Sequence, residues 1–157
     1  MQFEHIVVIN DPNNPMLADL SPSQIWQGLV MRVEAPQLFL DNVERVTIEE
    51  RGDSLIVREM QLGKLLVRDR IHLEPARRMH FETEPSELHG GGKLTVTLES
   101  PAAGTLLLRF AYETPHDDTA DTEDAKLLGY LKAAYRANDV DAVRKIRELA
   151  EAGKLGD

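Results

Sequence analysis

Apolar positions along the chain fall into three regimes. From Phe3 to Asn10 the run Ile6-Val7-Val8-Ile9 is short, rich in β-branched residues and predicts a strand. Its two faces, Phe3-His5-Val7-Ile9 and Ile6-Val8, are both candidates for the inward side. Asp11-Pro12-Asn13-Asn14-Pro15 then ends any ladder, because two prolines and three Asx residues favour turns. Ser21-Pro22-Ser23-Gln24 follows with a helix start: Ser at the N-cap, Pro at N1 and Gln at N3 make a capping box. Leu20 and Ile25 stand where a hydrophobic staple joins N′ to N4. The helix is expected to reach Val33 or Glu34, with Ile25, Leu29 and Val33 on one face and Trp26 and Val30 beside it. Pro36 stops it, and residues 36–40 suit one further helical turn.

The second regime has a period of two. Val43–Arg51, Leu55–Leu62, Lys64–Glu74, Arg77–Glu84, Lys93–Glu99 and Thr105–Thr114 read as strands. Gly52-Asp53, Gly63, Pro75-Ala76, Gly90-Gly91-Gly92 and residues 101–104 separate them, so the segment predicts an antiparallel meander. The alternation is clearest late, where Leu94, Val96 and Leu98 share a face, as do Leu106, Leu108, Phe110 and Tyr112. The third regime is helical. Residues 119–124 offer caps and an acidic first turn, and Leu127, Leu128, Leu131, Ala134 and Tyr135 form an apolar stripe. Asn138-Asp139 is expected to interrupt it, Asp139 capping a second helix through Val143, Ile146 and Ala150 that Gly153 closes. The fold class is therefore α+β: about seven antiparallel strands curling round a C-terminal helix, with a short helix pair after strand 1, in one domain of residues 1–157.

Composition narrows the function classes. The 157 residues include 42% apolar and 29% charged side chains, enough to build a core without staples. The absence of cysteine removes disulfides, thiolate metal sites and Cys nucleophiles, and suits a cytoplasmic setting. No leader-like N-terminus and no long apolar run are present, so membrane insertion is not expected. A net charge of −9 opposes nucleic acid as a partner.

This order of elements resembles the helix-grip fold of the START and birch-pollen-allergen superfamily (SRPBCC). Leu20-Ser21, Gln24, Trp26-Gln27-Gly28-Leu29, Arg32, Glu34, Pro36 and Phe39 resemble the opening of its small AtaL-like branch. The resemblance implies a cavity between sheet and C-terminal helix, in a superfamily of carriers, receptors, polyketide cyclases and proteins of unknown activity. A break at Asn138-Asp139 would leave the gripping helix shorter than in the plant allergens.

Candidate chemistry is sparse. Val67, Asp69, Ile71 and Leu73 share a strand face, and Ile56, Arg58, Met60 and Leu62 share one on the preceding strand. The Gly63 turn makes these strands neighbours, so an inward Arg58–Asp69 pair would serve as polar anchor or acid–base pair. A bulge turning either to solvent, or a purely structural pair, is the blander and favoured alternative. Trp26, Phe81, Phe110, Tyr112, Leu131 and Tyr135 are further cavity candidates, although ordinary core explains any one of them. The five histidines are scattered; His72 and His80 face each other across a turn on the outward side, without a third metal ligand. The Gly90-Gly91-Gly92 run leads into a strand, so it is a hairpin turn and not a phosphate cradle. Arg144, Lys145 and Arg147 are interspersed with Asp141, Glu148 and Glu151 along the last helix and form a solvated face.

Neither a metal nor a cofactor is implied, and no catalytic residue is assigned. The leading expectation is a binding protein for a small hydrophobic or aromatic molecule. A cyclase- or dehydratase-like enzyme using Asp69, and a ligand-free interaction module able to form a homodimer, are the alternatives.

Overall fold

In the computed structural model, which describes residues 1–117 and 122–157, β1 (Gln2–Asn10) is followed by α1 (Pro22–Glu34) and a 3-10 turn at Pro36–Leu38. Six strands come next: β2 (Val43–Arg51), β3 (Leu55–Leu62), β4 (Leu65–Glu74), β5 (Arg78–Thr83), β6 (Gly92–Glu99) and β7 (Leu106–Glu113). The chain ends with α2 (Thr122–Glu151) and a short tail. The cap candidates at residues 119–121 lie outside the described residues, and nothing is described of the side chains at 122–124. All seven strands pair antiparallel in one curved sheet, in the order β1-β7-β6-β5-β4-β3-β2. The β2–β7 meander joins neighbouring strands in sequence, and its last strand, β7, pairs with β1, which forms the edge opposite β2. No helix among the described residues is long and apolar enough to cross a membrane.

The start of α1 follows its local sequence. Ser21 Oγ accepts from the Gln24 N–H at 3.0 Å and Gln24 Oε1 accepts from the Ser21 N–H at 2.9 Å, completing the capping box. Leu20 and Ile25 are both buried in the core, as a staple requires. β1 presents His5 and Ile9 inward and leaves Ile6 and Val8 exposed, which resolves its two candidate faces. The core lies between the concave sheet face and the helices, with Ile9, Ile25, Ile56, Ile71, Leu108, Phe110 and Ile146 all essentially inaccessible.

Two expectations need correction. The strand ends expected at residues 64, 77, 84, 105 and 114 lie one residue past the observed strands: Lys64 and Arg77 sit in turns, while Glu84 and Thr114 still donate to the Arg68 and Met1 carbonyls. More importantly, α2 runs unbroken for 30 residues through Asn138-Asp139. Asp139 does not cap a helix: it is wholly buried and its carboxylate is taken by side chains from three other elements. Its helix propensity deficit of a few tenths of a kcal/mol is small beside those bonds.

α1 and α2 cross at Gly28. A Cβ there would lie 2.6–2.9 Å from three side-chain atoms of Ile146, which is itself fully buried. Gly28→Ala should therefore destabilise the protein, since overpacking costs about 1–3 kcal/mol while the helix gains about 1 kcal/mol over glycine. A lowered urea midpoint that Ile146→Val partly restores is the expected result; a stabilised Gly28→Ala protein would mean the helices do not cross this closely.

Candidate functional site

The side chains that alternate inward along β3 to β7 enclose a cavity of about 270 Å³ beneath α1 and α2. Met60, Leu62, Leu65, Val67, Phe81 and Leu94 give it apolar walls. Pro36, Phe39 and Leu40, held by the 3-10 turn after α1, close one side. Arg32 from α1 and Tyr135 from α2 reach in from above, and Tyr112 from β7 with Thr114 just after it complete that end. His89 and Gly91, from the β5–β6 connection, form part of the rim. Gly91 has φ +77°, and a Cβ there would meet the Thr83 carbonyl at 2.8 Å, so this close backbone packing depends on glycine. Its N–H donates to His89 Nδ1 at 2.9 Å, which leaves Nε2 as the protonated nitrogen of that tautomer.

Arg58 and Asp69 are direct cross-strand partners, both buried. The register is regular here; the irregularities of the sheet fall in β1 and β2, so no bulge turns either residue outward. Arg58 Nε and Nη2 meet Asp69 Oδ2 at 3.0 and 2.9 Å, and Nη1 donates to the Val33 carbonyl at 2.7 Å and less closely to that of Arg32 at 3.4 Å. Those carbonyls belong to the last turn of α1, where they lack helical partners and the helix dipole favours a cation. Asp69 Oδ1 accepts from the Thr83 hydroxyl at 2.6 Å. Burial pulls the Arg58 guanidinium below its ordinary range, with Asp69 acting in the opposite direction. Every nitrogen of Arg58 and both oxygens of Asp69 are thus engaged within the protein.

A second polar cluster lies beside the first. Asp139 Oδ2 is 2.7 Å from His5 Nε2 and accepts from the Tyr112 hydroxyl at 2.6 Å, while Oδ1 accepts from Arg32 Nη2 at 3.0 Å. An anionic acceptor assigns the His5 proton to Nε2, and Nδ1 is left buried without a partner among the described residues. His5 stacks between Phe3 and Phe110, and Tyr112 stacks on Tyr135 with ring centroids 4.1 Å apart and planes 6° from parallel. Burial, then the neighbouring Asp139 charge, push the Tyr112 phenol far above its usual value. Burial raises that of Tyr135 too.

A phenol held neutral by the fold favours the folded state below its unfolded pKa of about 10 and costs stability above it, where only the unfolded chain sheds the proton. Stability should therefore fall as pH rises past about 10, and Tyr112→Phe should flatten that fall. Urea midpoints of both proteins at about pH 8 and 11 check this; parallel losses would show that Tyr112 does not report on folding.

Of the candidates read from sequence, Arg58, Asp69, Phe81, Tyr112 and Tyr135 line the cavity and three do not. Trp26 lies on the other side of α1, in a shallow groove with Val30, Met31 and Leu155 of the tail. Phe110 is sealed in the core against His5, and Leu131 is half-buried on α2 outside the lining. The sequence reading missed Arg32, Thr83, His89 and the joining of His5 and Asp139 to Tyr112. One signal for Asp139 was present: it stands four residues from both Tyr135 and Val143, so an uninterrupted helix carries it on the buried stripe. His72 and His80 do face each other on the outer sheet surface, each within 4 Å of Glu82. Among the described residues no three His, Cys, Asp or Glu side chains are arranged to hold a metal ion.

Comparison with solved structures places this geometry. The di-domain ARO/CYC StfQ from the steffimycin biosynthetic pathway superposes with a TM-score of 0.70 at 16% identity, covering 96% of this chain and 51% of that one. The chain therefore spans about half the length of that protein. The Zhui aromatase/cyclase from Streptomyces sp. R1128 gives 0.66 at 17% identity, with 99% of both chains covered. Ara h 8.0201 gives 0.60 at 13%, covering 94% of this chain and 98% of its own. At these identities the likeness establishes the helix-grip fold. No curated protein matches the sequence. The profile of the family described as AtaL, acetylaranotin biosynthesis cluster protein L, matches residues 7–153, and this chain, with its helix-grip fold, belongs to the AtaL family.

Proposed function

We propose that residues 1–157 act as one binding domain for a small hydrophobic or aromatic molecule, held between the sheet and α2. One observation carries this reading: a cavity of about 270 Å³ with mostly apolar walls and few, convergent polar groups. That volume is near the lower end for small-molecule sites, which suits a compact ligand. The tyrosine stack at its upper end offers a flat surface to an aromatic ring. Native mass spectrometry of the protein from its own source, compared with its denatured mass, tests the reading. A small molecule released on denaturation supports it; a native protein that is clean and also fails to take up any apolar ligand added in excess would overturn it.

The aromatase/cyclase neighbours favour a second reading, in which a bound ligand is also turned over. Asp69 is poorly placed as its acid or base, since Arg58 and Thr83 occupy both of its oxygens. An Asp69→Ala protein that stays folded and binds its ligand but loses turnover would establish that role.

A further inference from the structure

Resting on the binding reading above, we propose that Arg32 and Tyr135, rather than Arg58, anchor the ligand, and that they hold the oxygen of an uncharged carbonyl group. The argument begins with which donors are spent. Arg58 directs its three nitrogens to Asp69 and to the carbonyls that end α1, so a ligand would have to break an existing bond to use it. Arg32 differs. Of the five N–H groups on a guanidinium, it commits only Nη2 to a side chain among the described residues, that of Asp139. Its side chain is 21% exposed, and it is part of the cavity lining. The bond to Asp139 fixes the side chain in place while leaving donors for a guest.

Tyr135 supplies the second donor. Its hydroxyl has no hydrogen-bond partner among the described residues, and burial keeps the phenol protonated. Tyr135 stands four residues before Asp139 on α2, so both lie on one helix face, and Arg32 is tied to that face through Asp139. The ring is held flat against Tyr112, whose own hydroxyl is spent on Asp139. Two uncommitted donors on adjoining elements match the two lone pairs of one carbonyl oxygen.

Charge decides between a carbonyl and a carboxylate. The interior holds two guanidiniums, Arg32 and Arg58, and two carboxylates, Asp69 and Asp139, each cation already bonded to one anion. An anionic ligand would put a third negative charge beside them in a poorly solvated site, which is costly, whereas a carbonyl adds none. Lys93 does not offset this: it is exposed at the rim, and its register partners Glu82 and Glu113 are both acidic.

Isothermal titration of the full chain with 2-acetylnaphthalene, 2-ethylnaphthalene and 2-naphthoate tests the proposal. The ketone should bind about tenfold or more tighter than its ethyl isostere, the effect expected of a hydrogen bond from a charged group. The carboxylate should bind no tighter than the ketone. Tyr135→Phe and Arg32→Gln should each weaken the ketone severalfold and leave the ethyl compound unmoved. Equal binding of ketone and isostere overturns the anchor while leaving the apolar pocket intact, and a naphthoate preference overturns the uncharged class. A Tyr135→Phe protein with unchanged ketone affinity removes Tyr135 from the anchor. Failure of all three probes to bind counts against the binding reading itself. If Arg32→Gln does not fold, Tyr135→Phe carries the test, since it removes only an unpartnered hydroxyl.

Discussion

Replacing Asp139 by alanine is expected to lower folding stability by about 3–5 kcal/mol, the cost typical of removing one partner from a buried charged network. At a denaturant slope of about 2 kcal/mol per molar, that is a urea midpoint lower by roughly 2 M. The loss arises because Asp139, with no exposed surface, is the single acceptor shared by His5, Tyr112 and Arg32. Alanine would strand three donors contributed by β1, β7 and α1 at once. Asparagine should cost less, because its carbonyl still accepts from one side while its amide opposes the other donors. A loss below about 1 kcal/mol in the alanine variant, against this expectation, would mean that water replaces the carboxylate and that the cluster does not hold α2 to the sheet.

Arg58→Met should be comparably damaging, about 3–5 kcal/mol, because it leaves Asp69 charged and buried with only Thr83 as a donor. The double variant Arg58→Met/Asp69→Leu should recover much of this, since a hydrophobic pair of similar volume often serves as well as a buried ion pair. Recovery should stop short of the parent by about 1–3 kcal/mol, because the Val33 carbonyl at the end of α1 loses its donor. Chemical denaturation of the four proteins of the cycle measures the coupling directly. Simple additivity of the two single losses would show that Arg58 and Asp69 do not stabilise each other.

These two sites differ in how far they were legible. The Arg58–Asp69 pairing follows from local rules: period two on both strands and a tight Gly63 turn, where Gly63 has φ +60° and Leu62 pairs Leu65. The remaining choice, inward or bulged out, depended on whether anything inside would satisfy the guanidinium. That partner proved to be the end of α1, about 25 residues away in the chain. Asp139 was misread because an Asx pair after an apolar stripe is a good local stop signal, and tertiary donors overrode it. Trp26 and Phe110 have the aromatic character of cavity walls, yet the turn of α1 and the pleat of β7 direct them elsewhere.

What the sequence determined by itself is what local physics governs: the capping box that starts α1, the strands with their tight turns, and hence an antiparallel sheet beside a C-terminal helix. Tertiary structure alone decided which face of β1 turns inward, that α2 continues through Asp139, and that Arg32 keeps free donors while Arg58 has none. The reason is range. Caps and turns are settled by atoms a few residues apart, whereas the fate of a buried charge depends on partners brought together only when helix, sheet and helix close on one another.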